Sequence, residues 1–158
     1  MQKAYLSINR IIEMFLALIF GLLVLDVSWQ VFSRYLIGQS SSFTEEFARF
    51  ALIWLSILGA AYLNGQRGHL SIDFLIRKLP PEQKRRRLVA LEILMLLFAL
   101  FIMVIGGSNL VYITLSLGQK SSALGVPLGV VYSIVPFSGL LIIFYCIHNI
   151  LHPGEALD

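Results

Sequence analysis

The sequence predicts an all-α membrane protein: four transmembrane helices, a short amphipathic helix on the cytoplasmic side, and both termini cytoplasmic. Three observations lead there. First, 58% of the 158 residues are hydrophobic, only 13% are charged, and the mean hydropathy is +0.82. Soluble domains carry about a quarter charged residues, and so small a core could not hide this apolar excess. Second, the charges leave long gaps. Only Asp26 falls between Glu13 and Arg34, 17 uncharged residues separate Arg49 from Arg67, and 27 separate Glu92 from Lys120. Third, the apolar runs repeat at helical rather than alternating spacing, and each suits about 20 residues crossing roughly 30 Å of hydrocarbon. Barrel strands of about 10 residues do not fit such runs. A soluble enzyme and a disordered tail are both excluded.

The spans fall near 11–33, 45–65, 86–114 and 127–149, in one compact membrane domain covering 1–158. Orientation follows from Lys and Arg in the loops. Lys3, Arg10, Arg67, Arg77, Lys78, Lys84, Arg85, Arg86 and Arg87 lie on one side; Arg34, Arg49 and Lys120 lie on the other. The nine-charge side is expected to be cytoplasmic. The first span begins like a signal peptide, but Asp26, Trp29 and Gln30 stand where small cleavage-site residues belong, so an uncleaved helix is expected.

The first span carries Asp26, the acid set deepest in the apolar runs. Gln30 and Ser33 follow at i+4 and i+7 and share its stripe. An ionisable group inside a membrane suggests an ion relay or cation site; the plainer reading is a structural or subunit contact, paired with Arg34 or Arg49. The plainer reading is preferred, because a transport path needs several converging polar groups.

The second span opens on Ser42-Phe43-Thr44-Glu45, which matches a capping box, with Thr44 as another possible cap. Glu45 and Glu46 then sit where the helix dipole favours negative charge. Glu45 and Arg49 are an i,i+4 pair. Gly65 and Gly68 end the helix.

Between the second and third spans, Ser71 can cap a short helix with Ile72, Leu75, Ile76 and Leu79 on one face and Asp73, Arg77 and Lys78 off it. This reads as an interfacial helix near 71–79. Pro80-Pro81 stops it, and Pro81 and Glu82 open the third span. Lys84 to Arg87 form a basic foot that anchors topology and touches anionic lipid. The outer half of this span holds Gly106, Gly107, Ser108 and Asn109, suited to close helix approach and a hydrogen bond across it. The fourth span follows Gly125-Val126-Pro127, and Pro136 should kink it.

Other chemistry is sparse. His148 and His152 are i,i+4, a spacing that can serve a metal, but no further His or Cys supports a site. The one cysteine, Cys146, excludes an internal disulfide, a CxxC pair and a cysteine zinc site. No Walker loop, GxSxG or HExxH occurs. No enzyme activity, cofactor, metal or nucleic-acid partner is expected.

Several segments taken together resemble a known family. They are Ser42 to Phe50, Trp54, Leu58-Gly59-Ala60-Ala61, Gly68-His69-Leu70-Ser71-Ile72-Asp73-Phe74-Leu75, and Leu124-Gly125-Val126-Pro127-Leu128 through Tyr132 and Pro136. In this order they are similar to the small membrane (Q) subunit of TRAP (tripartite ATP-independent periplasmic) transporters. Asn64-Gly65-Gln66 stands where many members are more basic. The resemblance implies a non-catalytic subunit in the bacterial inner membrane. It would pair with a large permease of roughly twelve spans that holds the substrate and sodium sites and moves as an elevator. A periplasmic binding protein would deliver a carboxylate such as a sialic acid, dicarboxylate or sugar acid. On this resemblance, Glu45, Glu46 and Arg49 serve outer-face structure or docking of the binding protein. His69 and Asp73, with Arg77 and Lys78, order the inner turn and interfacial helix. Asp26, Gly59, Ala60, Gly106, Gly107 and Asn109 are the candidate subunit contacts. Two rival readings are an independent small transporter or channel using Asp26, and a haem- or quinone-binding anchor subunit.

Overall fold

The computed structural model describes residues 2–36, 38, 41–66 and 81–151. His69, Asp73, Arg77, Lys78, His152 and the expected interfacial helix lie outside these residues. The described chain is almost entirely helical. It comprises α1 (Gln2–Leu36), α2 (Ser42–Gly65), α3 (Pro81–Phe98), a π-helical segment π1 (Ala99–Gly106), α4 (Gly107–Ser116), α5 (Leu128–Tyr132) and α6 (Ile134–Leu151). Four stretches are long and apolar enough to cross a membrane: Tyr5–Leu36, Ser42–Gly65, Arg86–Ser116 and Leu128–Leu151.

The first helix starts well before its apolar run, because neither Gly nor Pro interrupts residues 2–20 and the polar start carries the helix on. It ends just before Gly38, whose φ of +72° suits glycine past a helix end. Helix α2 begins at Ser42, earlier than the capping-box reading places it. The Ser41 carbonyl accepts the Glu45 N–H (3.2 Å), and the Thr44 hydroxyl donates to that same carbonyl (2.9 Å). Thr44 is therefore a donor inside the first turn rather than a cap. The fourth span starts at Leu128, directly after Pro127, and its helix is interrupted at Ser133. Pro136 has no N–H to offer the carbonyl of Tyr132, four residues back, and the interruption falls in that turn.

The chain divides into two compact units. The first comprises Met1–Gly59 and Asn109–Ile134; the second comprises Ala60–Ser108 and Val135–Asp158. In the first unit, α1 packs along a narrow seam. From Asn9 onward its buried or half-buried positions are Asn9, Ile12, Leu16, Ile19, Leu23, Asp26, Gln30 and Ser33, in alternating steps of three and four; Tyr5 and Ile8 precede them. This is the spacing of one helical stripe facing a neighbour. Between Met14 and Phe32 the other face of α1 is mostly apolar and exposed, including Leu18, Phe20, Leu25, Trp29 and Phe32. Such a surface suits lipid or another membrane protein. The Phe15 and Trp54 rings lie 6.3 Å apart, and the Trp54 indole N–H donates to the Val131 carbonyl (3.0 Å).

The core of the second unit is Ala61, Ala99, Ile142 and Cys146, with Met95, Leu96, Met103, Leu141 and Ile143 against it. Two glycines bring its helices together. A Cβ on Gly107 would meet Pro136 Cδ and Val135 Cγ1 at 3.0 Å. One on Gly139 would meet Met103 Cβ at 2.8 Å and Val104 Cγ2 at 2.9 Å. The pair lets backbones approach where side chains would hold them apart.

Candidate functional site

The acidic start of α2 separates into two roles. Glu46 is buried, whereas Glu45 and Arg49 are exposed. Consecutive helical residues point about 100° apart, so one acid faces inward while its neighbour faces out. Glu46 Oε2 accepts three hydrogen bonds from the segment that joins the third and fourth spans. The donors are the Ser121 hydroxyl (3.0 Å) and the backbone N–H groups of Ala123 and Leu124 (both 2.8 Å). Hydrogen bonds to a charged acceptor contribute about 1.5–3 kcal/mol each.

The joining segment has its own frame. Ser121 N–H donates to Val126 O (2.9 Å), Leu128 N–H to Gln119 O (2.9 Å), and Lys120 bridges Pro127 in antiparallel fashion. Gly125, at φ +66°, makes the reversal that returns the chain to Leu128. The carboxylate thus clasps a small preformed turn to the start of α2. The exposed surface left around it includes Glu45, whose carboxylate lies 3.8 Å from Arg34, together with Arg49.

Asp26 is half-buried on the α1 seam. Gln30 Nε2 donates to its Oδ2 at 2.7 Å, and the Ser33 hydroxyl donates to the Gln30 carbonyl at 3.1 Å. The shared stripe therefore forms a hydrogen-bonded run. Asp26 is expected to pair with Arg34 or Arg49; the hydrogen bond it accepts comes from Gln30, and Arg34 lies 3.8 Å from Glu45.

The second unit has a different polar set. Asn149 Nδ2 donates to Glu92 Oε1 (2.9 Å), and Asn64 Nδ2 lies 3.6 Å from Cys146 Sγ. Three helices contribute: α2 through Asn64, α3 through Glu92, α6 through Cys146 and Asn149. Glu92 Oε2 is buried and has no hydrogen-bond partner among the described residues. His148 is also buried. Among the described residues no three His, Cys, Asp or Glu side chains group closely enough to hold a metal.

The small residues also divide. Gly107 is buried against Val135 and Pro136 of its own chain, so its close approach is made internally. Gly59 is half-buried with open space where a Cβ would sit. Ala60, Gly106 and Asn109 are exposed. Pro136 packs on Gly107 beside the interruption at Ser133.

Sequence reasoning overlooked Ser121, Glu92, Asn149 and Asn64. Ser121 is one of two adjacent loop serines, and nothing local marks it as the donor to Glu46. Glu92 did carry a signal: it lies inside the third apolar span, yet it reads as the last charge of the basic foot.

Long apolar helices, internally bonded polar groups and broad exposed apolar faces define a multi-pass component of a membrane assembly. Residues 23–153 match the family described as the DctQ component of tripartite ATP-independent periplasmic transporters, and the chain belongs to that family. A relative in Haemophilus influenzae bearing the name TRAP transporter small permease protein is 30% identical over 135 residues, covering 85% of this chain and 82% of the relative. The sialic acid TRAP transporter small permease protein SiaQ of Vibrio cholerae is 27% identical over 154 residues, covering 95% and 85%. A second Haemophilus influenzae protein of the same small-permease name is 25% identical over 118 residues, covering 75% and 70%. The chain is thus a small permease subunit of a TRAP transporter, a multi-pass protein of the inner membrane.

Proposed function

We propose that this subunit is a non-catalytic scaffold: it braces a large elevator-type permease that carries carboxylate substrates with sodium. The observation that carries the reading is how the intramembrane polar groups are used. Asp26 is bonded by Gln30, and Asn149 is bonded to Glu92, within the chain. A transport path through this subunit would need converging polar groups facing a common space. The exposed side chains of α1 and the third span are instead overwhelmingly apolar. An element that moves through lipid needs a fixed partner that resists tilting, and broad apolar helices supply one without touching substrate.

Within this reading both termini are cytoplasmic, with Arg86 and Arg87 at the inner foot of α3. Gly59, Ala60, Gly106 and Asn109 contact the large permease. The periplasmic binding protein docks on the outer surface carrying Glu45 and Arg49, while Glu46 holds the turn beside it. The relative from Vibrio cholerae is named for sialic acid, itself a carboxylate, which favours an acidic sugar as substrate here.

The test is reconstitution in liposomes under a sodium gradient. This subunit alone should give no uptake of sialic acid or dicarboxylates, and addition of the large permease and the binding protein should establish it. Uptake by the subunit alone would overturn the scaffold reading.

A further inference from the structure

The seams of two helices differ in a way that burial makes visible. On α1 the packed positions advance in alternating steps of three and four. On the third span, Ala99, Met103, Gly107 and Val111 advance by four three times in succession. An α-helix needs only 3.6 residues per turn; Val104 beside Met103 is half-buried too, and the surplus of about one residue is carried by the π winding of Ala99–Gly106. The Gly107 N–H reaches back to Ile102 O, five residues earlier, as well as to Met103 O and Val104 O.

That surplus decides which side chains precede the segment on the seam. In the π register they are Ala99 and Glu92, the latter against Asn149. Wound as a plain α-helix back from Gly107, the same seam would present Leu100, Leu97 and Ile93 instead, all now exposed and apolar. In the present register Glu92 receives the Asn149 amide and only a weak thiol contact from Cys146, and its Oε2 is buried without a hydrogen-bond partner among the described residues. An incompletely satisfied buried carboxylate is costly, which narrows the gap between the two registers. At the pivot, Gly107 and Gly139 meet the opposite helix without interlocking side chains.

We propose that π1 is a register switch: by passing between π and α winding it turns α3 by one residue, exchanging Glu92 for Ile93 beside Asn149. The turn is about 100°. This device is independent of the scaffold reading and concerns how the subunit itself changes shape.

The test uses the full chain assembled with its permease, with Cys146→Ala removing the native thiol. Cysteine pairs are then joined by a short bis-methanethiosulfonate. Glu92→Cys with Asn149→Cys should crosslink readily. Ile93→Cys with Asn149→Cys should also crosslink, more slowly, through a minor population of roughly 0.1–10%. Leu91→Cys with Asn149→Cys is the control, since Leu91 lies the same 100° from Glu92 on the opposite side and turns away when Ile93 turns in. Deleting Ile102 removes the surplus residue; it should abolish the excess of 93–149 over 91–149 crosslinking while retaining 92–149. A 93–149 yield no higher than the 91–149 control overturns the switch. So does an excess that persists in a folded Ile102 deletion. If the deletion does not fold, the 93 against 91 comparison in the undeleted chain decides alone.

Discussion

Glu46 in the first unit and Glu92 in the second are both acids drawn into an apolar protein, yet they are treated differently. Glu46 Oε2 receives a hydroxyl and two backbone N–H groups, all from one short turn. Glu92 receives one side-chain amide on Oε1, while its Oε2 is buried without a partner among the described residues. A carboxylate that gathers several donors organises the backbone around it, because those N–H groups have no partner of equal strength elsewhere. A carboxylate with one donor holds a single helix contact and leaves part of its burial cost uncompensated. The first acid builds a site; the second marks a position whose occupant can change.

Four variants sharpen or break this contrast, beginning with the largest effect. Glu46→Ala leaves three donors without their acceptor and should lower the stability of the chain more than any other substitution here. The thermal midpoint of the purified chain in detergent reads this. A loss no greater than that of Glu92→Ala would end the distinction between the two acids. Glu46→Gln keeps an acceptor oxygen but not the charge, so about half of the Glu46→Ala loss should appear on the same measurement. If Gln proves as damaging as Ala, acceptance of the three hydrogen bonds is not what Glu46 contributes.

Glu92→Leu combined with Asn149→Leu removes both partners of the second hydrogen bond, along with the unsatisfied oxygen. The cost of the pair should stay below about 1 kcal/mol, because buried polar pairs replaced together by hydrophobes lose little stability. Chemical denaturation beside the Glu46 variants supplies the comparison, and a loss rivalling Glu46→Ala would refute it. The smallest effect is expected from Asp26→Asn. Its partner Gln30 can still donate to the remaining oxygen, so sodium-driven uptake by the assembled transporter should remain within about twofold of the unaltered protein. Abolished uptake with normal assembly would favour the rival reading in which Asp26 couples transport.

Much of the architecture was legible from charge alone. A membrane admits few unpaired charges, so the gaps between Glu13, Arg34, Arg49, Arg67, Glu92 and Lys120 locate the spans directly. The Ser42–Phe50 segment likewise pointed to the acids at the start of α2. Which acid turns inward was not legible. Glu45 and Glu46 are chemically near-identical neighbours, and only the position of Ser121, Ala123 and Leu124 separates them. Glu92 was hidden for another reason: beside Arg85, Arg86 and Arg87 it looks like part of a solvated foot, until Asn149, 57 residues away, supplies its partner.

The sequence by itself determined the four spans, their apolar faces and the family, because these depend on composition and short-range order. The tertiary structure alone decided which polar groups meet, that Gly107 is taken up by Pro136 within the chain, and that the third span winds through a π segment. Those outcomes depend on pairs distant in sequence. A hydrogen bond or a 3 Å backbone approach between them leaves no periodic trace along the chain.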